Sequence, residues 1–451
     1  MINFDPTPSF QKYINYLSIP FFTYIVLITI FGRTFNGLYI GGFRLGELVV
    51  GLAIVITFLS ILTFKKQHIN KSFLYLFMGL LLSFFVSAIL SNSNFTETYT
   101  YKSSSIIWTT SFIFFGGLMF KSKFTDSFIK YLFIFSPLTY IFTIVFFPNP
   151  LWNFFKLYSD KFDYLKSSDI LLTYILLNFL TKRNIESKKI TLTFFLLSSA
   201  LIAPLLSFMS RGAFLAFLIY FISEVFLIRK LVLKNKLKFL FTLILATLIF
   251  ALSTIIITTD IDFEFLNFGK KIEIVEDQNV LASGRAEVVA RQLPIVFVER
   301  EFFGTTLSIF YQDGRFYSTE VTANWRLQLW QDVIEDVVSK DRLFIGYGYS
   351  EIIPAMTDPL NNGNDSTNEN LHNYFVQVFA RGGLLQLLIV ILIIFTYISI
   401  WVKQKNNYKI LQFVIPIIVV SVFDPTLETV RFPLIYYSFL GYFLSDKKVY
   451  S

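Results

Sequence analysis

Long apolar stretches recur along the whole chain and are separated by shorter polar connections. A helix of about twenty apolar residues spans the hydrocarbon core of a bilayer, so the pattern predicts about twelve membrane-spanning helices. A transmembrane barrel is excluded, because its strands would be about half as long and would alternate apolar with polar residues. The predicted spans cover roughly residues 19–37, 44–64, 72–91, 104–120, 128–148, 167–181, 190–208, 212–228, 237–258, 374–402, 410–423 and 432–445.

The composition agrees with this pattern. Of the 451 residues, 54% are hydrophobic, 19% aromatic and 16% charged, which is too apolar for an ordinary soluble chain of this length. The fold class that we predict is therefore an all-α integral membrane protein.

Lysine and arginine concentrate in alternate connections, which predicts the orientation of the chain. Short loops that are rich in lysine and arginine stay on the cytoplasmic side of the membrane, so both termini are expected to be cytoplasmic. The net charge of +8 is then a topological signal, and we do not predict binding to nucleic acid. The rich connections lie at 65–71, 121–130, 182–189, 229–238, 403–409 and 447–448.

One connection differs from the others in length. Residues 259–373 form a polar stretch of more than a hundred residues, which is too long for a plain linker and is placed on the outer side by the predicted topology. We expect it to be partly helical, over 286–301 and in an amphipathic helix whose apolar face carries Leu327, Trp330, Ile334, Val337 and Val338. The predicted domains are thus 1–258 with nine spans, the large extracytoplasmic loop 259–373, and 374–451 with three spans and a cytoplasmic tail.

Cysteine is absent and only two histidines are present, His68 and His372. The chain therefore has no thiolate nucleophile and no thiolate metal ligand. Because the topology places the two histidines on opposite sides of the membrane, a histidine cluster is also excluded. We predict no metal and no cofactor.

Ionisable residues at the predicted outer boundary are the candidate site residues. His372 lies just before the tenth span, and Arg211 lies between the seventh and eighth spans on the same side. Arg326 and Arg285 in the long loop add further cations. Charge at an apolar boundary is unfavourable unless it is paired, so an anionic ligand is a candidate partner for Arg211.

Each candidate also has a structural interpretation. Arg211 could anchor a helix end by reaching lipid phosphates, and Arg326 could pair with Asp332 or Glu335 on its own helix. Arg285 follows a Ser-Gly turn and suits a surface or phosphate-contacting role better than a catalytic one. His372 could be a helix-start residue that acts through Asn373.

Four short motifs carry a resemblance to a known family. "MSRGAFLA" is followed by a long outer loop with "WRLQLW", then by "IGYGYSE", and then by "LHNYF" with glycines a turn or two later. Their order and sidedness resemble those of the bacterial O-antigen ligase and polymerase family. The match covers about residues 205–390, and it departs from the family where Gln386 stands in place of a common small residue.

The resemblance implies a GT-C-like membrane glycosyltransferase that needs no metal. Such an enzyme transfers a glycan from an undecaprenyl-pyrophosphate-linked donor to an acceptor hydroxyl, on a sugar or a lipid A core, at the outer face of the bacterial cytoplasmic membrane. A chain-length regulator is a further candidate partner. By the resemblance, His372 is the candidate catalytic base, while Arg211 and Arg326, and more weakly Arg285, bind the pyrophosphate.

The chemistry of these side chains suits those roles. Guanidinium groups stabilise the charge that develops on a departing pyrophosphate, and imidazole is the side chain with basicity nearest neutral pH. A ligase is preferred over a repeat-unit polymerase of the same family, but both stay open. A polyprenol-glycan flippase or transporter also stays open, although it would be expected to have polar groups near the bilayer midplane and two similar halves.

Overall fold

The computed structural model is dominated by helices. It describes residues 8–63, 71–145, 147–159, 165–184, 188–234, 236–258, 269–270, 309–312, 314–318, 321–357, 369–405 and 407–445. The helices in these residues are α1 (Pro8–Phe31), α2 (Arg33–Asn36), α3 (Leu45–Thr63), α4 (Lys71–Leu90), α5 (Thr98–Ser103), α6 (Ser105–Thr109), α7 (Phe112–Met119), α8 (Thr125–Phe135), α9 (Pro137–Tyr140), α10 (Asn149–Tyr158), α11 (Ser167–Asn184), α12 (Lys188–Met209), α13 (Arg211–Lys234), α14 (Lys236–Thr258), α15 (Val321–Ser339), α16 (Tyr374–Lys405), α17 (Ile410–Phe423) and α18 (Arg431–Ser445).

Sheet structure is sparse in the described residues. Two-residue strands β1 (Tyr39–Ile40) and β2 (Phe43–Arg44) form a hairpin. A second antiparallel pair joins β3 (Phe147–Pro148) to β4 (Gly269–Lys270), and a third joins β5 (Ile309–Gln312) to β6 (Arg315–Ser318). A π-helical turn at Ile141–Val145 follows α9, and a 3₁₀ turn at Pro354–Met356 follows α15.

The prediction of an all-helical membrane protein is confirmed at this level. Every predicted span overlaps a helix or a run of short helices. In the described residues six helical segments are long and apolar enough to cross a membrane, and three shorter apolar helices accompany them. The first span was predicted too late, at 19–37, because α1 begins at Pro8 and ends at Phe31.

Close helix packing holds the two halves of the chain together. Gly116 in α7 lies against the backbone of Ser438 in α18, and Gly441 in α18 lies against the carbonyl of Ile113 in α7, so that a Cβ at either glycine would overlap its neighbour. Small residues allow such close approach between membrane helices, where packing rather than hydrophobic burial drives association. The contact between α7 and α18 therefore depends on these two glycines.

The apolar face of α15 differs from the one that the sequence predicted. Leu329, Val333 and Val337 are fully buried, whereas Ile334 and Val338 are 42% and 50% exposed. The helix carries apolar residues on more than one side, and its packing against the start of α16 selects the face that includes Leu329 and Trp330. The helix is thus rotated by about one position from the expected orientation.

Candidate functional site

His372 lies in the turn that leads into α16. Its φ is 53°, in the left-handed region that non-glycine residues seldom adopt. The next residue, Asn373, caps α16, since its Oδ1 accepts hydrogen bonds from the backbone of Phe375 and Val376 at 3.0 and 3.2 Å. The start of α16 is therefore capped by Asn373, as the structural interpretation of His372 expected, and the His372 ring takes no part in these two hydrogen bonds.

The long loop supplies one wall around His372. Trp330 in α15 donates a hydrogen bond from Nε1 to the carbonyl of Leu371 at 2.7 Å. Trp325 packs its ring edge-on against His372, with 5.7 Å between ring centroids. Two tryptophans of α15 thus hold the segment that carries the histidine.

Arg326 lies on the same side of α15 as these tryptophans. It is half-buried and precedes Trp330 by four residues, or about one helical turn. The two carboxylates that were its predicted alternative partners contact Arg315: Asp332 at 2.5 Å and Glu335 at 3.9 Å. Arg326 is in electrostatic range of His372.

The environment of His372 favours the neutral imidazole. Burial, and after it the positive charges of Arg326 and Lys166, lower the pKa of His372 to about 3. Its Nδ1 is buried and has no hydrogen-bond partner among the described residues. A neutral imidazole with a free nitrogen can accept a proton from a bound hydroxyl.

The two glycine-containing motifs lie against one another. Gly346 and Gly348, in "IGYGYSE", have positive φ. A Cβ at Gly346 would overlap the backbone of α16 at Ala380 and Arg381, and one at Gly348 would overlap the side chains of Ser91 and Ser93. Backbone hydrogen bonds join Tyr347 to the Ala380 carbonyl at 2.7 Å and Gly348 to the Arg381 carbonyl at 3.0 Å. These two motifs therefore form one structural unit.

A kink in α16 makes this contact possible. Gly383 has φ 66° and ψ −168°, a conformation that is essentially restricted to glycine. The buried Arg381 guanidinium donates hydrogen bonds to the Gly348 and Glu351 carbonyls and to the Tyr99 hydroxyl. Gln386, the departure from the family pattern, accepts a hydrogen bond from the Tyr349 hydroxyl at 2.8 Å, so it contributes to the same unit.

Lys166 is a further cation beside His372, and we did not single it out from the sequence. It precedes α11, where its backbone amide donates to Asp169 Oδ2 at 3.1 Å. Asp169 also forms a buried ion pair with Arg431 at the start of α18. This pair links the segment that carries Lys166 to the turn between α17 and α18.

Removal of the buried Asp169 carboxylate should be costly. Asp169→Asn leaves Arg431 without its counter-ion, and loss of one partner of a buried pair costs about 3–5 kcal/mol. We expect a lower midpoint of thermal unfolding in detergent. Arg44→Gln, which removes an exposed pair with Glu47, is the control and should change the midpoint little. Equal midpoints for the two variants would contradict the structural importance of this pair.

Arg211 begins α13 and is exposed. The following Gly212 packs against Phe423 at the end of α17, so Arg211 lies next to the turn 424–430. The structure thus places Arg326 and Lys166 around His372, and places Arg211 at the same end of the helices. Arg285 and the predicted helix at 286–301 lie outside the described residues.

The fold and these side chains define a class: a helical membrane protein with a histidine between cations at one end of its helices. Residues 192–391 match the family described as O-antigen ligase, which confirms the resemblance seen in the sequence. No curated protein matches the chain at a significant level. The matched segment includes Arg211, Arg326 and His372, and the match supports a ligase- or polymerase-type role in O-antigen assembly.

Proposed function

We propose that the chain is a metal-independent membrane glycosyltransferase of the O-antigen ligase type. It transfers a glycan from an undecaprenyl-pyrophosphate-linked donor to an acceptor hydroxyl at the outer face of the cytoplasmic membrane. In this proposal the chain has twelve spans, cytoplasmic termini and residues 259–373 outside. The observation that carries the proposal is the position of His372 at the start of the long apolar helix α16, with a buried Nδ1 that has no hydrogen-bond partner among the described residues and with Arg326 and Lys166 in electrostatic range.

Arg326 and Arg211 are the proposed pyrophosphate ligands. As the bond between the anomeric carbon and the phosphate oxygen breaks, negative charge develops on the leaving group, and guanidinium groups can stabilise it by bidentate hydrogen bonds. Helix α13 begins at Arg211, α11 begins directly after Lys166, and α16 begins two residues after His372. Their amino-terminal dipoles also favour an anion.

His372 is the proposed base that takes the proton of the acceptor hydroxyl. Without donor its basicity is low, because burial and two cations disfavour the imidazolium. A bound pyrophosphate offsets the charges of Arg326 and Lys166, and this raises the pKa of His372. The base therefore becomes effective when the donor is present, which disfavours proton removal in an empty site.

Glycan transfer should be sensitive even to the replacement of Arg326 by lysine. A lysine keeps the charge but loses the planar pair of donors, so Arg326→Lys should reduce transfer about tenfold and Arg326→Ala about a hundredfold. Transfer rates in isolated membranes, with the amount of protein matched, would measure both. Arg315→Lys is the control, since Arg315 lies in the same loop but pairs with Asp332. A loss in Arg315→Lys equal to that in Arg326→Lys would contradict the assignment.

Glycan analysis separates the two functions that the family includes. Cells that lack the chain would be complemented with the wild type or with inactive variants, and lipid-linked intermediates would be separated by size from mature surface polysaccharide. Long lipid-linked chains accumulate if the protein is a ligase, and single repeat units accumulate if it is a polymerase. Normal polysaccharide in cells that lack the chain would contradict both.

A transporter is less well supported by the arrangement of charge. Lys166, Arg326, His372 and Arg431 gather at one end of the helices rather than at the middle of the spans. Transporters that alternate access place such groups near the bilayer midplane.

A further inference from the structure

Glu428 lies in the turn between α17 and α18, outside the segment that matches the family. Ser105 anchors the turn by donating a hydrogen bond to the Glu428 backbone carbonyl at 2.6 Å. Both carboxyl oxygens of Glu428 are buried, and neither has a hydrogen-bond partner among the described residues. Buried polar groups are normally hydrogen-bonded, and an unsatisfied one is costly, so a ligand is the simplest explanation for this arrangement.

The neighbours of Glu428 place it beside the proposed site. Lys166 is in electrostatic range of both Glu428 and His372. On α16, Tyr374 and Arg381 are also in range of Glu428, and Tyr374 is two residues after His372. Asp424, in the same turn, is a further charged neighbour.

These surroundings keep the carboxyl group protonated at neutral pH. Burial, and after it the negative charge of Asp424, raise the pKa of Glu428 to about 8, although Lys166 and Arg381 act in the opposite direction. A protonated carboxyl group has one hydrogen-bond donor and one acceptor oxygen, which match the hydroxyl groups of a sugar. It also adds no negative charge that would repel a pyrophosphate.

We propose that Glu428 is a sugar-binding residue, whose carboxyl group hydrogen-bonds hydroxyls of the acceptor sugar and holds that sugar at His372. The proposal rests on the proposed function, because it takes the reacting hydroxyl to lie at His372. Glu428 then contributes mainly to acceptor affinity, whereas His372 contributes to the rate of transfer.

Two substitutions separate this role from others. Glu428→Gln keeps a hydrogen-bond donor group and an acceptor oxygen without an ionisable proton, and Glu428→Ala removes both. We expect Glu428→Ala to raise the KM for acceptor about tenfold with a smaller change in kcat, and Glu428→Gln to stay within a few-fold of the wild type. Glu369→Gln is the control, because Glu369 lies three residues before His372 but pairs with Lys102 at 2.6 Å, and it should leave the KM for acceptor unchanged.

The pH dependence provides a second readout. As pH rises through about 8, the wild-type carboxyl group loses its proton, so its donor is lost and acceptor affinity falls. Glu428→Gln should keep its acceptor affinity over the same pH range. This comparison holds even if Glu428→Ala fails to fold.

The assay uses the full chain in lipid nanodiscs. The donor is undecaprenyl-pyrophosphate-linked glycan extracted from cells that lack the chain, and the acceptor is the unmodified surface glycan or lipid A-core fraction of the same cells, which is titrated. An unchanged KM in Glu428→Ala, or a Glu428→Gln variant with the wild-type pH profile, would overturn the sugar-binding role. The proposed function fails separately, if His372→Asn transfers glycan at the wild-type rate.

Discussion

Replacement of His372 by asparagine should reduce glycan transfer by about 10²–10⁴-fold, the usual contribution of a general base. Asparagine is the suitable substitute because it tolerates the left-handed backbone conformation, which His372 adopts with φ 53°. The variant therefore removes the imidazole without adding backbone strain. The measurement is the initial rate of transfer in membranes that contain equal amounts of the two proteins.

The corresponding control tests the helix cap that follows the histidine. Asn373→Ala removes the side-chain oxygen that accepts from Phe375 and Val376, which should lower stability by about 1 kcal/mol but leave most of the transfer activity. If His372→Asn were as active as Asn373→Ala, the residue would have a structural role only, and the catalytic assignment would be wrong.

Gly383→Ala should prevent the accumulation of folded protein. An added Cβ would overlap the backbone of Phe344 and Ile345, and the φ of 66° with ψ of −168° is unfavourable for any side chain. Neither backbone can move easily, because Leu384 donates a hydrogen bond to the Leu343 carbonyl at 2.8 Å across the same contact. We expect the free energy of unfolding to fall by about 3 kcal/mol or more. The measurement is the yield of monodisperse protein after extraction in mild detergent, which should be low.

Gly41→Ala separates backbone strain from steric overlap. Gly41 has a similar φ of 59°, but a Cβ there would meet nothing within 4 Å. It should cost only about 1 kcal/mol. Similar yields of folded protein for the two variants would contradict the view that the contact between α16 and residues 344–348 is rigid.

Much of the helical framework could be predicted because it depends on local properties of the sequence. Apolar stretches of the length of a bilayer become helices whichever neighbours they pack against, and so each predicted span overlaps a helix. The face of α15 could not be predicted in the same way. Its apolar residues lie on more than one side, and only the contact with Leu371 and Phe379 decides that Leu329 is buried and Ile334 is exposed.

The candidate site shows the same limit. His372 and Arg326 could be singled out because each is an ionisable residue in a motif that resembles the family, and the chemistry of its side chain suits the implied role. Lys166 and Glu428 were missed, since each has an ordinary setting in its own segment and becomes unusual only where three distant segments meet. A buried carboxyl group without partners is a property of packing, so no local pattern in the sequence indicates it.

The glycine contact between α7 and α18 has a consequence for synthesis in the cell. Helix α7 is made early, whereas α18 is the last helix in the described residues. Until α18 emerges, the groove at Gly116 is open to lipid, and Arg431 has not yet reached Asp169. The turn that carries Glu428 also has no α18 to follow it until then. A nascent chain thus completes the ion pair of Asp169 with Arg431 and the contact of α7 with α18 only at the end of translation. A truncated chain is therefore expected to reach the membrane with an exposed helix groove, which membrane quality control can recognise.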